Sequence, residues 1–222
     1  MKQPQILKKF VFSRRQPDIP RDAGLAPNPA ALFESRDISI SDCLIEEVKV
    51  ETRGEGTLQV EGSRLERVSL ANGAFASVLL KDVRLLNCDL ANLATRALTL
   101  IRVEFINCRM TGFRGGEADC KDVLISEGDL RYSQFRYSRF RSAEFDGCNF
   151  EEADFQGTDL SGSIFRKCNL SNAEMSKVKL LDADLRGSHV EGLHMNVEDI
   201  RGAVVDLPQA MIFASLLRIR IE

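Results

Sequence analysis

The chain has 222 residues, of which 44% are hydrophobic and 28% charged, with no Trp, two His and a formal net charge of −3. That is enough apolar material for one large core or two small ones, and the near balance of charge argues against nucleic acid as a direct ligand. Two histidines leave few acid–base or metal-ligand sets, so composition disfavours an enzyme.

Residues 1–36 hold five of the six prolines, at Pro4, Pro17, Pro20, Pro27 and Pro29, and seven Lys/Arg against three Asp/Glu. This spells an extended basic arm with little regular structure. Such an arm is either a solvated tail or a contact, for an acidic partner or for the acidic body of its own chain. The pair Arg14–Arg15 is that of a twin-arginine export signal, but "DIPRDAGLAPNP" follows it where an apolar stretch should stand, so a cytoplasmic chain is expected. No run of about 18 apolar residues suggests a transmembrane helix, and no membrane partner is expected.

From 37 to 200 the chain keeps a period of five. Of the 33 positions numbered as multiples of five between Ile40 and Ile200, 30 are apolar, where composition alone would give about 15. Only Glu55, Thr95 and Gly115 depart. Two residues earlier, 31 of 33 side chains are uncharged, so both positions face inward. A helix repeats every 3.6 residues and a strand every two, and neither yields five. A backbone that runs nearly straight for about five residues, turns a corner and repeats does so: four such sides close a square coil of about 20 residues, stacked as a parallel β-ladder. On this geometry Phe145 stacks between Ile125 and Phe165.

The stretch "CNFEEADFQGTDLSGSIFRKCNLSNAEM", with Asp129, Asn149, Asp154, Asp159, Asn169 and Asp184 filling an Asp/Asn slot, resembles the pentapeptide-repeat family, whose loose motif is Ala-(Asp/Asn)-Leu-X-X. The resemblance implies an all-β fold, a right-handed quadrilateral β-helix of about eight coils. Between residues 40 and 128 only Asp89 and Asp119 occupy the slot, a degenerate version of the repeat.

Glu55, Thr95 and Gly115 differ by multiples of 20 and so fall on one irregular wall. At Leu93/Thr95 and Phe113/Gly115 the large residue has moved to the earlier slot, which predicts repacking. "ETRGEGT" (51–57) reads as a surface loop and "TGFRGGE" (111–117) as a second bulge. After Ile200 the period stops. Asp206 and Pro208 open a short helix near 207–217 within the segment 201–222. Met211, Ile212, Leu216 and Leu217 are expected to cap the last coil or to meet a second copy, since a β-helix leaves an open edge at each end; a homodimer through the C-terminus is the favoured form.

Five of the six cysteines, Cys43, Cys88, Cys108, Cys148 and Cys168, take the small inward slot and Cys120 the central one, as core thiols. His189 and His194 fall on adjacent walls and point apart, against a shared metal; neither a metal nor a cofactor is expected. "RYSQFRYSRFR" spreads Tyr132, Tyr137 and four arginines as a belt around one coil, whereas a nucleic-acid stripe should stack at 20-residue intervals. Acids do stack: Glu151, Glu152, Asp154, Glu174 and Glu191 share one wall over three coils, as a partner-binding face or an ordinary solubilising surface. The expected function is a non-enzymatic binding or scaffold protein acting through its rod surface. Resemblance to the quinolone-resistance members implies a DNA mimic whose partner is a type II topoisomerase, DNA gyrase or topoisomerase IV. The alternative is an adaptor for an unrelated protein, engaged through the N-terminal arm or the irregular face.

Overall fold

In a computed structural model that describes residues 13–21, 23–26, 28–50 and 55–214, the period of five is a stack of square coils. The strands are β1 (Gly24–Leu25), β2 (Ile38–Ser41), β3 (Cys43–Glu46), β4 (Gly56–Glu61), β5 (Arg64–Glu66), β6 (Ala74–Leu86), β7 (Ala94–Ile106), β8 (Asp119–Ser126), β9 (Arg139–Arg141), β10 (Glu144–Asp146) and β11 (Ile164–Arg166), followed by helix α1 (Leu207–Ala214). Every pairing among them is parallel, and the register advances by 20: Ile40 lies beside Val60, Leu80 beside Leu100, Cys120 beside Phe140. Where no strand is assigned, single bridges continue the columns, as in Asp129–Asn149–Asn169–His189. Backbone groups therefore pair between coils: Leu130 N donates to Asn149 O at 2.7 Å and Asn149 N to Gly128 O at 2.9 Å.

Four walls result: wall 1 is centred on residues 40, 60 and onward to 180, wall 2 on 45 to 185, wall 3 on 50 to 190, and wall 4 on 75 to 195. The chain turns two residues past most central positions with a positive φ, as at Asn72 (+60°), Asn92 (+56°) and Asp182 (+59°). Asn, Asp and Gly tolerate this left-handed region best. At Gly157 (φ +68°) the requirement is double, because a Cβ there would come within 2.5 Å of the Tyr137 ring one coil away.

Wall 1 has eight rungs from Ile40 to Leu180, in keeping with the expected coil count. The last wall-1 bridge joins Asp159 to Lys179, and 196–203 closes into turns instead of a further rung. At the other end the stack begins earlier than the period of five suggests. Strand β1 pairs with β3 in a register one short of 20, Gly24 to Cys43, and a 3₁₀ turn at Pro29–Phe33 lays Phe33 in the core.

The axis is filled by the central residues. Phe145 sits in register between Ile125 and Phe165, its ring 4.6 Å from that of Phe165 and 5.3 Å from that of Phe150. The small inward slot has a second use: its hydroxyl or thiol donates to a carbonyl 23 residues back, as in Thr158 Oγ1 to Phe135 O, Cys148 Sγ to Ile125 O (3.2 Å) and Cys168 Sγ to Phe145 O (3.5 Å). A small donor there satisfies a buried carbonyl while leaving room for the phenyl rings.

The irregular wall is repacked. Leu93 and Phe113 are buried, and the Phe113 ring occupies the space that a side chain at Gly115 would need, 2.6 Å from where a Cβ would lie. The ring also contacts Phe135 at 5.7 Å. Thr95 turns inward and donates to Ala97 O at 2.9 Å. Beside it the left-handed corner between walls 4 and 1 is missing at Ser77 and Ala97, so β6 and β7 pass from wall 4 into wall 1 without it and turn with a positive φ only at Asp82 (+56°) and Arg102 (+54°) on the way to wall 2. Two loop expectations need correction. Residues 111–117 hold the 20-residue register through Ala94–Arg114–Gln134 and form no bulge, because Phe113 substitutes for the missing central side chain. Gly56 and Thr57 already belong to β4, and the one-residue register shift lies there, opposite β6; residues 51–54 lie outside the described residues.

Helix α1 closes the far end. Asp206 and Gln209 form a reciprocal capping box: Gln209 N donates to Asp206 Oδ1 at 3.0 Å and Asp206 N to Gln209 Oε1 at 3.1 Å. The Gln209 amide, buried, donates to Leu185 O (2.6 Å) and Ser188 O (2.7 Å), carbonyls that have no further coil to accept from. Ile212 and Phe213 pack against the core, whereas Met211 is 56% exposed; Leu216 and Leu217 lie outside the described residues.

Two substitutions check this architecture by chemical denaturation. Phe145→Ala should lower stability by about 3–5 kcal/mol, and a loss under about 1 kcal/mol would take that ring off the axis. Gln209→Ala strands the Ser188 carbonyl, leaves Leu185 O with Ser188 N as its donor and should cost about 1–3 kcal/mol, with faster amide exchange in the last coil.

Candidate partner-binding surfaces

The five carboxylates singled out in the sequence do converge on wall 4 and the corner that leads into it. Asp154 and Glu174 are bridge partners on successive coils. Glu151 and Glu191 enter the wall two coils apart, and Glu152 occupies a left-handed corner at φ +55°. Their charges are not equal. Arg136 Nε donates to Asp154 Oδ2 at 2.5 Å, which raises the guanidinium's pKa and neutralises that site. Among the described residues Glu174 accepts only Ser176 N, at 2.8 Å, and Glu191 lies 4.0 Å from His189 Nδ1. Glu151, Glu152 and Glu174 have no ion pair among the described residues. The cation on this acidic wall comes from the coil above, 18 residues earlier, and a strict 20-residue count passes over it.

The arginine belt is largely spent on acids. Arg131 grips Asp129 through two nitrogens (2.9 and 2.8 Å), and Arg141 reaches Asp119 (2.5 Å). The Arg131 guanidinium holds the Asp129 carboxyl below its ordinary range, and Arg186 does the same for Asp184. Tyr132 and Tyr137 are 51% and 58% exposed, at successive corners, without a run of free cations beside them. Below Tyr137 a shallow groove is lined by Glu117, Asp119, Arg139, Gly157, Asp159 and Lys179. Its column Asp119, Arg139, Asp159, Lys179 alternates in sign from coil to coil, so it offers no single-signed field.

All six cysteines are free, and five are buried. The neighbouring thiol and burial together push Cys108 and Cys148 up, and burial pushes Cys120 up, so these groups stay protonated. His189 and His194 are exposed on adjacent walls. No group of three or more metal-ligating side chains occurs among the described residues. No helix among them is long and apolar enough to cross a membrane.

The arm holds a set of acids that the sequence did not single out. Residues 13–20 lie along the corner between walls 1 and 2, over Asp82, Glu104 and Asp122, all buried. Burial raises the Asp82 carboxyl, but bonds from Arg102 and from Asp18 N outweigh it and hold the group low. The signal lay in the sequence: 82, 102 and 122 stack at intervals of 20, with Glu104 beside them.

A square parallel coil with one phenyl or aliphatic residue per side, a small residue two before it and a left-handed corner two after it defines a class of repeat protein, the quadrilateral β-helices. Two family models agree with this geometry: a pentapeptide repeat region matches residues 78–155, and pentapeptide repeats in eight copies match residues 153–192. The chain belongs to the pentapeptide-repeat family. Curated proteins give no match. Among solved structures, a trypsin-treated form of QnrB1, a plasmid-mediated fluoroquinolone resistance protein, is 17% identical over 85% of this chain and 95% of its own, with a TM-score of 0.45. HetL, involved in heterocyst differentiation regulation in the cyanobacterium Nostoc sp. strain PCC 7120, is 15% identical over 81% of this chain and 92% of its own, with a TM-score of 0.30. A pentapeptide repeat protein of the Arabidopsis thaliana thylakoid lumen is 23% identical over 44% of this chain and 72% of its own, with a TM-score of 0.32. At such identities and scores, membership rests on the repeat models and the coil, not on these neighbours.

Proposed function

We propose that the chain is a non-enzymatic scaffold of the cytoplasm that binds a protein partner through the outer faces of its rod, with Glu151, Glu152, Asp154, Glu174 and Glu191 on wall 4 as the contact. The observation that carries this reading is the set Glu151, Glu152 and Glu174: three carboxylates without an ion pair among the described residues, on two adjacent coils of a rigid ladder. On the same coils Asp119, Asp129 and Asp184 are matched with arginine, whereas Glu117, Glu127, Asp146 and Asp182 are, like the wall-4 set, without an ion pair among the described residues. Unmatched charge held at a spacing of about 4.8 Å suits a basic, elongated binding surface.

In its specific form the partner is a protein that ordinarily grips DNA, a type II topoisomerase such as DNA gyrase or topoisomerase IV, and the rod stands in for the duplex. The column is coarser than the roughly 3.4 Å phosphate rise along one DNA strand, so affinity would come from a rigid array of modest charge and be strongly salt-dependent. An adaptor working through its arm is less well supported, since residues 14, 15 and 18 are bonded to the chain's own body. Homodimerisation would use the outer face of α1, where Leu207 is 75% and Met211 56% exposed.

Binding of purified gyrase and topoisomerase IV at low and high salt tests the reading. Wild-type binding should fall steeply as ionic strength rises, and the triple variant Glu151→Lys, Glu152→Lys, Glu174→Lys should lose it. Undiminished binding by that variant would move the contact off wall 4. For the dimer, light scattering of Met211→Glu should give the monomer mass where wild type gives twice that mass.

A further inference from the structure

We propose that the column Asp82–Glu104–Asp122 is a docking groove for an extended, arginine-bearing peptide segment of a protein partner, kept filled in cis by residues 13–20. The inference rests on none of the wall-4 carboxylates and stands or falls apart from them.

The seat is built from three carboxylates on successive coils. Arg102 clamps Asp82 through two nitrogens, at 2.6 and 2.5 Å, and Arg84 Nε holds one oxygen of Glu104 at 2.7 Å. Asp82 and Glu104 are thereby oriented: Asp82 Oδ1 is shared between Arg102 and the arm, Glu104 Oε1 is left for the arm, and Asp122 has no arginine partner among the described residues. Arg14 Nη2 donates to Glu104 Oε1 at 2.8 Å, Arg15 N to Asp122 Oδ1 at 3.2 Å and Asp18 N to Asp82 Oδ1 at 2.9 Å. The arm therefore runs opposite to the direction of coil stacking. From Arg15 to Asp18 an extended chain covers about 10 Å, and from the coil of Asp122 to that of Asp82 two rungs cover about 9.6 Å. The repeat of an extended peptide and the rise of the coils are commensurate, so backbone amides three residues apart meet acids stacked two coils apart.

Recognition of this kind is part sequence-tolerant and part specific. Two contacts come from backbone N–H groups, which any extended residue except Pro supplies. The third is the Arg14 guanidinium, whose side chain is 8% exposed beside a Glu104 that is 5% exposed. Arg14 Nε is buried without a partner among the described residues, so the fit of this cis ligand leaves one donor unmet. Residues 13–20 join no β-ladder. Carboxylates are what fasten them, and a segment with the same spacing and a better-placed guanidinium can compete. Pro17 and Pro20 keep the arm extended and at low entropy cost on docking.

The test uses the full chain and a fluorescein-labelled peptide, VFSRRQPDIP. Arg14→Glu should release the arm without touching the seat, and this variant should bind the peptide at least tenfold more tightly than wild type at low salt. The double variant Arg14→Glu, Glu104→Gln should lose that gain. Equal binding to wild type and Arg14→Glu, or binding by neither, would overturn the proposal. Trypsin on the wild-type chain gives a reading that does not depend on a variant's folding. Cleavage after Arg14 and Arg15 should be at least tenfold slower than after Arg21 or Arg36 in 50 mM salt, and should approach their rate in 1 M salt. Rapid cleavage after Arg14 and Arg15 at low salt would mean that the groove is not filled in cis.

Discussion

Everything in this molecule depends on the backbone pairing from one coil to the next. Each coil presents its amides and carbonyls along the stacking direction, and those groups are satisfied only if the following coil places its own 20 residues later. That requirement sets the register, brings identical slots into columns and makes the inward positions a continuous phenyl and aliphatic column. It also explains the tolerance of wall 4. The bridges Ala94–Arg114–Gln134 are intact although Thr95 and Gly115 offer no large apolar side chain at the centre, because Phe113 and Leu93 fill the volume while the ladder carries on.

A ladder of this kind turns surface chemistry into columns. Side chains 20 residues apart stand about 4.8 Å from each other, close enough that like charges repel and unlike charges bond. Lys81 with Glu61, Arg102 with Asp82 and Arg84 with Glu104 are such pairs. Asn149 and Asn169 use the same spacing for an amide ladder, at 3.1 Å. Glu151, Glu152 and Glu174 have no such partner among the described residues, and in the seat of the arm Asp122 would have none if residues 13–20 were not lying on it.

The ends are where the ladder fails, and the chain treats them differently. At the first coil β1 and the turn around Phe33 extend the stack with non-repeat sequence. At the last, Gln209 supplies from a helix the two donors that a further coil would have provided, and Asp206 holds that helix by its cap and by accepting Gly187 N at 2.8 Å. The exposed side of α1 is then what remains for contact with anything beyond.

Phe150, Phe155, Leu160, Phe165 and Leu170, five residues apart, were enough to specify a square coil, its inward residues and the stacking of Phe145 on Phe165, because a local period leaves few backbone paths that can satisfy it. The terminal helix was legible in Asp206 and Pro208 for the same local reason. The corners were legible as well, in the Asn, Asp and Gly recurring two residues past the central slot, though the period of five drew attention to the core instead. Contacts that break the period were settled only by tertiary structure. Arg136 reaches Asp154 diagonally within wall 4, Phe113 moves into the place of Gly115, Gln209 finds Leu185 and Ser188, and Arg14 finds Glu104 ninety residues away. A repeat determines what each residue does within its coil and to its neighbours at 20. Side-chain length, corner geometry and the path of a non-repetitive segment are decided by the folded shape, because no spacing in the sequence encodes where an arm without a period will lie.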